Sequence, residues 1–299
     1  MNTIASEHRS GFVALVGRPN TGKSTLTNAM VGTKVAITSS RPQTTRRTIR
    51  GIVRRRGFQI VLVDTPGLHR PRTLLGERLN AVVSGEIDEV DAIVLCLPAD
   101  EAIGPGDRFI AAHLPARVPR IAAVTKADSV RREAMVVKLA GVAQLDGFTD
   151  IVPVSAVTGY QVEELVTLLG ERMPHGPDLY PDGEVSDQPP ELMVAELVRE
   201  AALEGLRDEM PHSVAVEVEE MVPREEPHRG LAVRVTVYVE RSSQKGIMIG
   251  KGGARLKTVG IRARREIEAL LAERVYLDLH VKVAKDWQSD PKQLARLGF

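Results

Sequence analysis

Gly17-Arg18-Pro19-Asn20-Thr21-Gly22-Lys23-Ser24 decides how the first half of this chain is read. It satisfies G-x-x-x-x-G-K-[ST] at every position, between an apolar run at residues 12–16 and a stretch of helical spacing at 24–31. Glycines here let backbone N–H groups curl around phosphate oxygens, and the helix that follows presents its positive end to the anion. Lys23 is placed to reach the β- and γ-phosphates, and the Ser24 hydroxyl to meet Mg²⁺, with Thr25 closing the loop's contact set.

Working outward, runs rich in β-branched residues recur at 60–63, 92–97, 121–124 and 151–154, with amphipathic stretches at 131–145 and 161–172. This alternation predicts an α/β sheet covered on both faces, with a further strand over 50–56 that turns back at Gly57. Asp64-Thr65-Pro66-Gly67-Leu68 ends the 60–63 strand, so Asp64 can hold Mg²⁺ and the Gly67 N–H can sense a γ-phosphate. Gln43-Thr44-Thr45-Arg46 precedes it in a polar segment. One threonine there, Thr45 in preference to Thr44, is expected to complete the Mg²⁺ shell only when a γ-phosphate is present. Thr125-Lys126-Ala127-Asp128 ends the 121–124 strand. A carboxylate at Asp128 accepts from the N1–H and exocyclic amine of guanine, a donor pair that adenine lacks, and the Lys126 stem can cover the base. Ser155-Ala156 offers a backbone N–H to guanine O6. The set predicts a site for GTP and GDP, with Lys23, Thr45 and Gly67 nearest the chemistry.

Composition shifts after Met173. Residues 174–190 are rich in Pro, Gly and Asp, which predicts a first domain over 10–174, a linker over 175–190 and a second domain over 191–299. At 299 residues, 43% apolar and 26% charged, the chain has the length and composition for two globular cores. The second domain reads as helix (191–207), two alternating strands (213–221 and 231–240), short helix, glycine-rich loop, helix (254–273) and strand (275–284). Its loop, Ile247-Met248-Ile249-Gly250-Lys251-Gly252-Gly253, fits G-x-x-G and is surrounded by Lys245, Lys251, Arg255 and Lys257. Glycine pairs in helix–helix turns are common. The setting, the element order and the basic residues together favour a clamp on a single RNA strand over an inert packing module.

Charge agrees with that reading. The net charge is only +1, yet residues 187–240 carry 13 Asp/Glu against 5 Lys/Arg, and residues 241–299 carry 13 Lys/Arg against 6 Asp/Glu. An anionic partner local to the basic end is implied. The single cysteine, Cys96, lies in an apolar run and is expected to be a buried strand thiol. One cysteine cannot make an intramolecular disulfide or a CxxC metal site. With a polar start and no apolar run of bilayer length, it points to the cytoplasm. Trp287 is expected to be a packing anchor and His69 a surface histidine.

The phosphate loop, Thr44-Thr45-Arg46, Asp64-Thr65-Pro66-Gly67, the Thr125 tetrad and Ser155-Ala156 together resemble the translation-factor-like GTPases. Two departures stand out. The tetrad usually begins with Asn, whose amide contacts the base and braces the phosphate loop, and here it begins with Thr125. Leu68 occupies the place where many GTPases carry a water-orienting glutamine. Related enzymes with an apolar residue there and Asn at the position of Asn20 use K⁺ in the loop. The resemblance therefore implies K⁺ beside Asn20, water held by backbone groups and slow unaided turnover.

With its second domain the chain, from 12 to 299, resembles the Era family of bacterial GTPases. The stretch 248–261, with Gly250-Lys251-Gly252-Gly253 and Leu256-Lys257-Thr258-Val259-Gly260-Ile261, is the most specific part. The resemblance implies an α/β P-loop GTPase domain followed by a smaller α+β type II KH domain. It also implies binding near the 3′ end of small-subunit ribosomal RNA, a role in small-subunit maturation, a monomeric chain and partial association with the inner membrane surface. The basic end and the loop by themselves support only single-stranded RNA. Two other classes stand beside this one. The first is a membrane or cell-division regulator whose C-terminal domain is a protein adaptor. The second is an RNA-modifying GTPase, for which the sequence offers no cofactor motif and no nucleophile beyond Cys96.

Overall fold

Every residue of strand β4 (Ala92–Pro98) is buried, because it crosses the middle of a sheet with helices on both faces. The computed structural model describes residues 8–39, 44–71, 73–206, 210–224 and 229–299, so Gln43 lies outside the described residues. The sheet runs β2–β3–β1–β4–β5–β6, with β1 (Arg9–Val16), β2 (Ile49–Arg55), β3 (Phe58–Asp64), β5 (Arg120–Thr125) and β6 (Asp150–Pro153). Its pairs are parallel except β2 with β3, which is antiparallel across the turn at Gly57. Alternate residues serve opposite faces. Val13, Leu15, Leu62, Val94 and Cys96 pack under α1 (Lys23–Val31) and α5 (Val162–Arg172). Ala14, Val16, Val63, Ile93 and Leu95 pack under α2 (Leu74–Ile87), α3 (Pro105–His113) and α4 (Arg132–Val142). Burial pushes the Cys96 thiol up to about 12, so it is an inert strand residue.

Helices α2 and α3 are additions to the sequence reading. Each shows the core only a few residues, Leu75, Leu79, Val83 and Ile87 on α2 and Ile110 and Ala111 on α3, while Phe109 faces outward. The apolar stripe is too thin to stand out. The stretch predicted to be a linker is also tied down over its first part. Fully buried Gln59 accepts from the Leu179 and Tyr180 N–H groups (2.6 and 3.0 Å) and donates to the Tyr180 carbonyl (3.0 Å). Further along, the Ile52 N–H donates to the Val185 carbonyl at 2.9 Å, beside β2.

Among the described residues, the second compact unit comprises 188–206, 210–224 and 229–299 together with 37–39, 44, 71 and 73–77. Its three-stranded sheet runs β7–β8–β9, made of β7 (Ala215–Pro223), β8 (Leu231–Val239) and β9 (Val275–Val283), antiparallel and then parallel. Helices α6 (Pro190–Leu203), α7 (Ser242–Ile249) and α8 (Ala254–Leu271) close over Val235 and Val237 of the sheet, α8 through its Val259, Ala263 and Ile267. Helix α6 stops before the predicted residue 207, because Glu204 turns extended and Gly205 follows with φ 69°. A short last helix, α9 (Pro291–Arg296), is opened by the Asp290 carboxylate, which accepts from the Lys292 and Gln293 N–H groups. Trp287 is fully buried, its indole N–H donating to the Ser213 carbonyl at 3.0 Å, which makes it the packing anchor expected.

Candidate nucleotide site and nucleic-acid interface

Lys23 opens α1 with 6% of its surface exposed, and its ammonium donates to the carbonyls of Gly17 (3.2 Å) and Arg18 (2.9 Å). Loss of water lowers the Lys23 pKa and raises that of buried Asp64 to about 6, with their mutual attraction opposing both shifts. The Ser24 Oγ lies 2.7 Å from Thr45 Oγ1, which is 3.5 Å from Asp64 Oδ2. The second oxygen, Asp64 Oδ1, is buried without a hydrogen-bond partner among the described residues. Two hydroxyls beside a carboxylate with an unsatisfied oxygen are a hard-oxygen set, and they fit Mg²⁺. Thr44 stays apart from this set, since its carbonyl accepts from Arg199 and its hydroxyl lies 3.5 Å from the Ser39 carbonyl. Thr45 is therefore the threonine that faces the site, with Arg46 buried beside it.

Close packing fixes the loop. A Cβ on Gly67 would sit 2.6 Å from the Pro19 nitrogen, so only glycine brings this backbone against the phosphate loop. The Leu68 N–H donates to the Gly17 carbonyl (3.1 Å), while its side chain packs against the core. Thr65 Oγ1 donates to the Leu15 carbonyl at 2.7 Å, and Pro66 is buried behind it. Arg18 turns away, its guanidinium donating to Asp107 (2.7 Å) and Glu101 (2.9 Å). Buried Asp107 also accepts from the Gly104 N–H at 2.8 Å, so this brace runs from the loop to α3, a link the sequence did not reveal. Asn20 is exposed with φ 63°, and Thr25 is half-buried on α1. His69 is half-buried rather than on the surface, with its Nδ1 3.2 Å from the Gly67 carbonyl oxygen.

On the base side, the Thr125 hydroxyl donates to the Thr21 carbonyl at 2.6 Å. A hydroxyl therefore supplies a brace to the phosphate loop where an amide was expected. Thr125→Val keeps the volume and removes that donor. It should weaken guanine-nucleotide binding by about fivefold to tenfold, roughly one net hydrogen bond, in a calorimetric titration. Unchanged affinity would mean that the brace does not hold the loop. Asp128 is exposed and accepts from Ser155 Oγ at 2.5 Å, while Lys126, with φ 55°, lies 3.3 Å from Asp100. The Ala127 N–H is used by the Val154 carbonyl (3.1 Å) and the Ser155 N–H by the Tyr160 carbonyl (3.0 Å). Of the Ser155-Ala156 pair, the Ser155 N–H is thereby spent within the chain.

In the second unit, Gly250 ends α7 and Gly253 caps α8, with Lys251 and Gly252 exposed between them. Beside this loop a groove of about 370 Å³ runs between α8 and β9, lined by Leu256, Lys257, Ile261, Arg264 and Leu279 among others. Gly260 faces Leu279 across it, where a Cβ would come to 3.4 Å of the leucine methyl. Lys257 is exposed at the groove and Lys245 is half-buried on α7. Arg255 stands beside the loop, where a Cβ on Gly250 would meet its Cβ at 2.8 Å, but its side chain reaches away. Its guanidinium donates to the Ala202 (3.1 Å) and Glu204 (2.7 Å) carbonyls and so satisfies the end of α6. The sequence marked the loop but not the groove wall on β9, the next strand in the chain, where Tyr276, Leu277 and Leu279 line it.

The 50S ribosome-binding GTPase family matches residues 12–126, and the KH domain family matches residues 209–288. GTPase Era of Mycolicibacterium paratuberculosis is 63% identical over 298 residues, covering 98% of this chain and 100% of the relative. The chain belongs to the Era family of GTPases. Era of Mycolicibacterium smegmatis is 60% identical with the same coverage. A crystal structure of Era in complex with MgGDPNP and nucleotides 1506-1542 of 16S ribosomal RNA superposes with a TM-score of 0.94 at 35% identity, covering 97% of this chain and 99% of that one. A variant of Aquifex aeolicus Era bound to GDP and aluminium fluoride gives 0.93, with the same identity and coverage. As in that family, a P-loop GTPase unit with a mostly parallel sheet precedes a KH unit.

Proposed function

We infer that this chain binds and hydrolyses GTP and carries a KH unit that binds single-stranded RNA at the 3′ end of small-subunit ribosomal RNA, in the service of small-subunit maturation. The observation that supports it most is the pairing, in one chain, of the Ser24–Thr45–Asp64 oxygen set beside Lys23 with a glycine loop opening onto an apolar groove. The RNA reading draws on the Era complex with 16S ribosomal RNA. Ser24, Thr45 and Asp64 would hold Mg²⁺, which when bound offsets charge on the β- and γ-phosphate oxygens. Lys23 gives up its carbonyl contacts to meet the same phosphates, the Gly67 N–H meets the γ-phosphate, and Asp128 selects guanine. The proposed limits remain 10–174 for the GTPase domain, 175–190 for the linker and 191–299 for the KH domain. The chain acts as a cytoplasmic monomer with peripheral contact to the inner membrane face. Among the described residues no helix is long and apolar enough to cross a membrane.

Leu68 has no hydrogen-bonding side chain, so the attacking water falls to backbone groups, with K⁺ held beside Asn20. Phosphate release measured with GTP and with ATP tests both parts of this reading. Release from GTP alone, and faster in K⁺ than in Na⁺, is the expected result. Equal use of ATP would remove Asp128 from its role, and equal rates in the two salts would remove the K⁺ site.

A further inference from the structure

Next to the groove, the second unit carries a hollow of about 610 Å³ walled by Arg224, Arg229, Arg264 and Arg274 around Tyr276, with Glu268 at its edge. Tyr276 is 59% exposed, and the Arg224 guanidinium carbon lies 5.2 Å from the ring centroid. Tight packing brings these arginines together. A Cβ on Gly230, which has φ 101°, would meet the Arg274 carbonyl oxygen at 2.3 Å, and the Leu231 N–H donates to that same oxygen at 2.9 Å. The end of the β7–β8 connection is thus pinned to the start of β9. Glu268 accepts from the Val275 N–H at 3.0 Å and lies 4.0 Å from Arg264, so its charge offsets only part of the cluster. Arg264 and Tyr276 also line the apolar groove, so groove and hollow share that wall.

Guanidinium groups stay charged at every physiological pH and fork onto phosphate oxygens, and an exposed tyrosine ring stacks on a base. A KH groove holds about four nucleotides. We propose that the hollow binds the RNA strand where it leaves the groove, with the arginines on successive phosphates and Tyr276 against a base. This rests on the RNA reading above. A concave, aromatic-floored site suits a strand better than the plane of a lipid surface.

The test uses the full chain carrying Arg224→Gln, Arg229→Gln and Arg274→Gln, with GTP affinity as the folding control. It is titrated with an RNA of about 12 nucleotides from the 3′ end of small-subunit ribosomal RNA and with one of about four nucleotides from within it. With a log–log slope of about −0.7 per phosphate on a single strand, each contact is worth roughly fivefold at 0.1 M salt. The variant should lose about a hundredfold on the long RNA, with a slope shallower by about 2, and change by less than about twofold on the short one. An unchanged slope and affinity on the long RNA overturns the proposal. An equal loss on both RNAs also overturns it, because the effect would then belong to the groove. A loss confined to binding of phosphatidylglycerol vesicles overturns it in favour of a lipid surface. Failure of the unaltered protein to bind either RNA removes the RNA reading itself, and the hollow's role with it.

Discussion

Lys23→Ala should lower GTP affinity by about two to four orders of magnitude and leave the circular dichroism spectrum unchanged. The lysine is the buried cation of the phosphate loop, and hydrogen bonds from a charged donor contribute roughly 1.5–3 kcal/mol each. Two phosphates lose such a donor, so about 3–6 kcal/mol disappears from binding. The fold should tolerate the loss because the carbonyls that Lys23 now serves keep other donors. Gly17 accepts from the Leu68 N–H at 3.1 Å, and Arg18 from Thr21 Oγ1 at 3.0 Å. Calorimetry with GTP checks the outcome, and near-normal affinity would displace Lys23 from the phosphates.

Lys251→Glu with Lys257→Glu should abolish measurable RNA binding while GTP affinity stays as it was. Both lysines are exposed, one at the tip of the glycine loop and one on the groove wall. Reversing both places two carboxylates where the phosphate backbone must pass, and the unaltered protein's salt slope should reflect about −0.7 for each phosphate contacted. Gly252 is left alone because its φ of 57° would strain a side chain there, and Lys257→Glu sits in the first turn of α8, where an acidic residue suits the helix dipole. Filter binding across a salt series decides the matter. Retained RNA affinity with an unchanged slope would mean that this loop is not the clamp.

What the sequence made legible were the parts whose chemistry demands particular residues at fixed spacing. The phosphate loop joins β1 to α1, Asp64 ends β3, Asp128 follows β5 and the glycine loop joins α7 to α8, and the strands of both sheets lie within a few residues of their apolar runs. What stayed hidden depends on where a polar group points. Thr125 and Thr21 are 104 positions apart, so no spacing could announce their hydrogen bond. Arg255 reads as one more basic residue near the loop, and only the position of the α6 end shows that its guanidinium is spent on two carbonyls. Ser155 loses its N–H to a turn that closes on Tyr160. Gln59 looks like an ordinary strand polar residue, yet it is fully buried and needs the 179–180 backbone to satisfy it, which holds down chain that composition alone marks as linker.

Ultraviolet crosslinking of the protein to RNA in cells, followed by sequencing of the bound fragments, tests the central claim most directly. The account predicts reads concentrated at the 3′ end of small-subunit ribosomal RNA, reduced to background by the Lys251→Glu, Lys257→Glu pair. Reads spread evenly over cellular RNA, or a 3′-end peak that survives the pair undiminished, would contradict it.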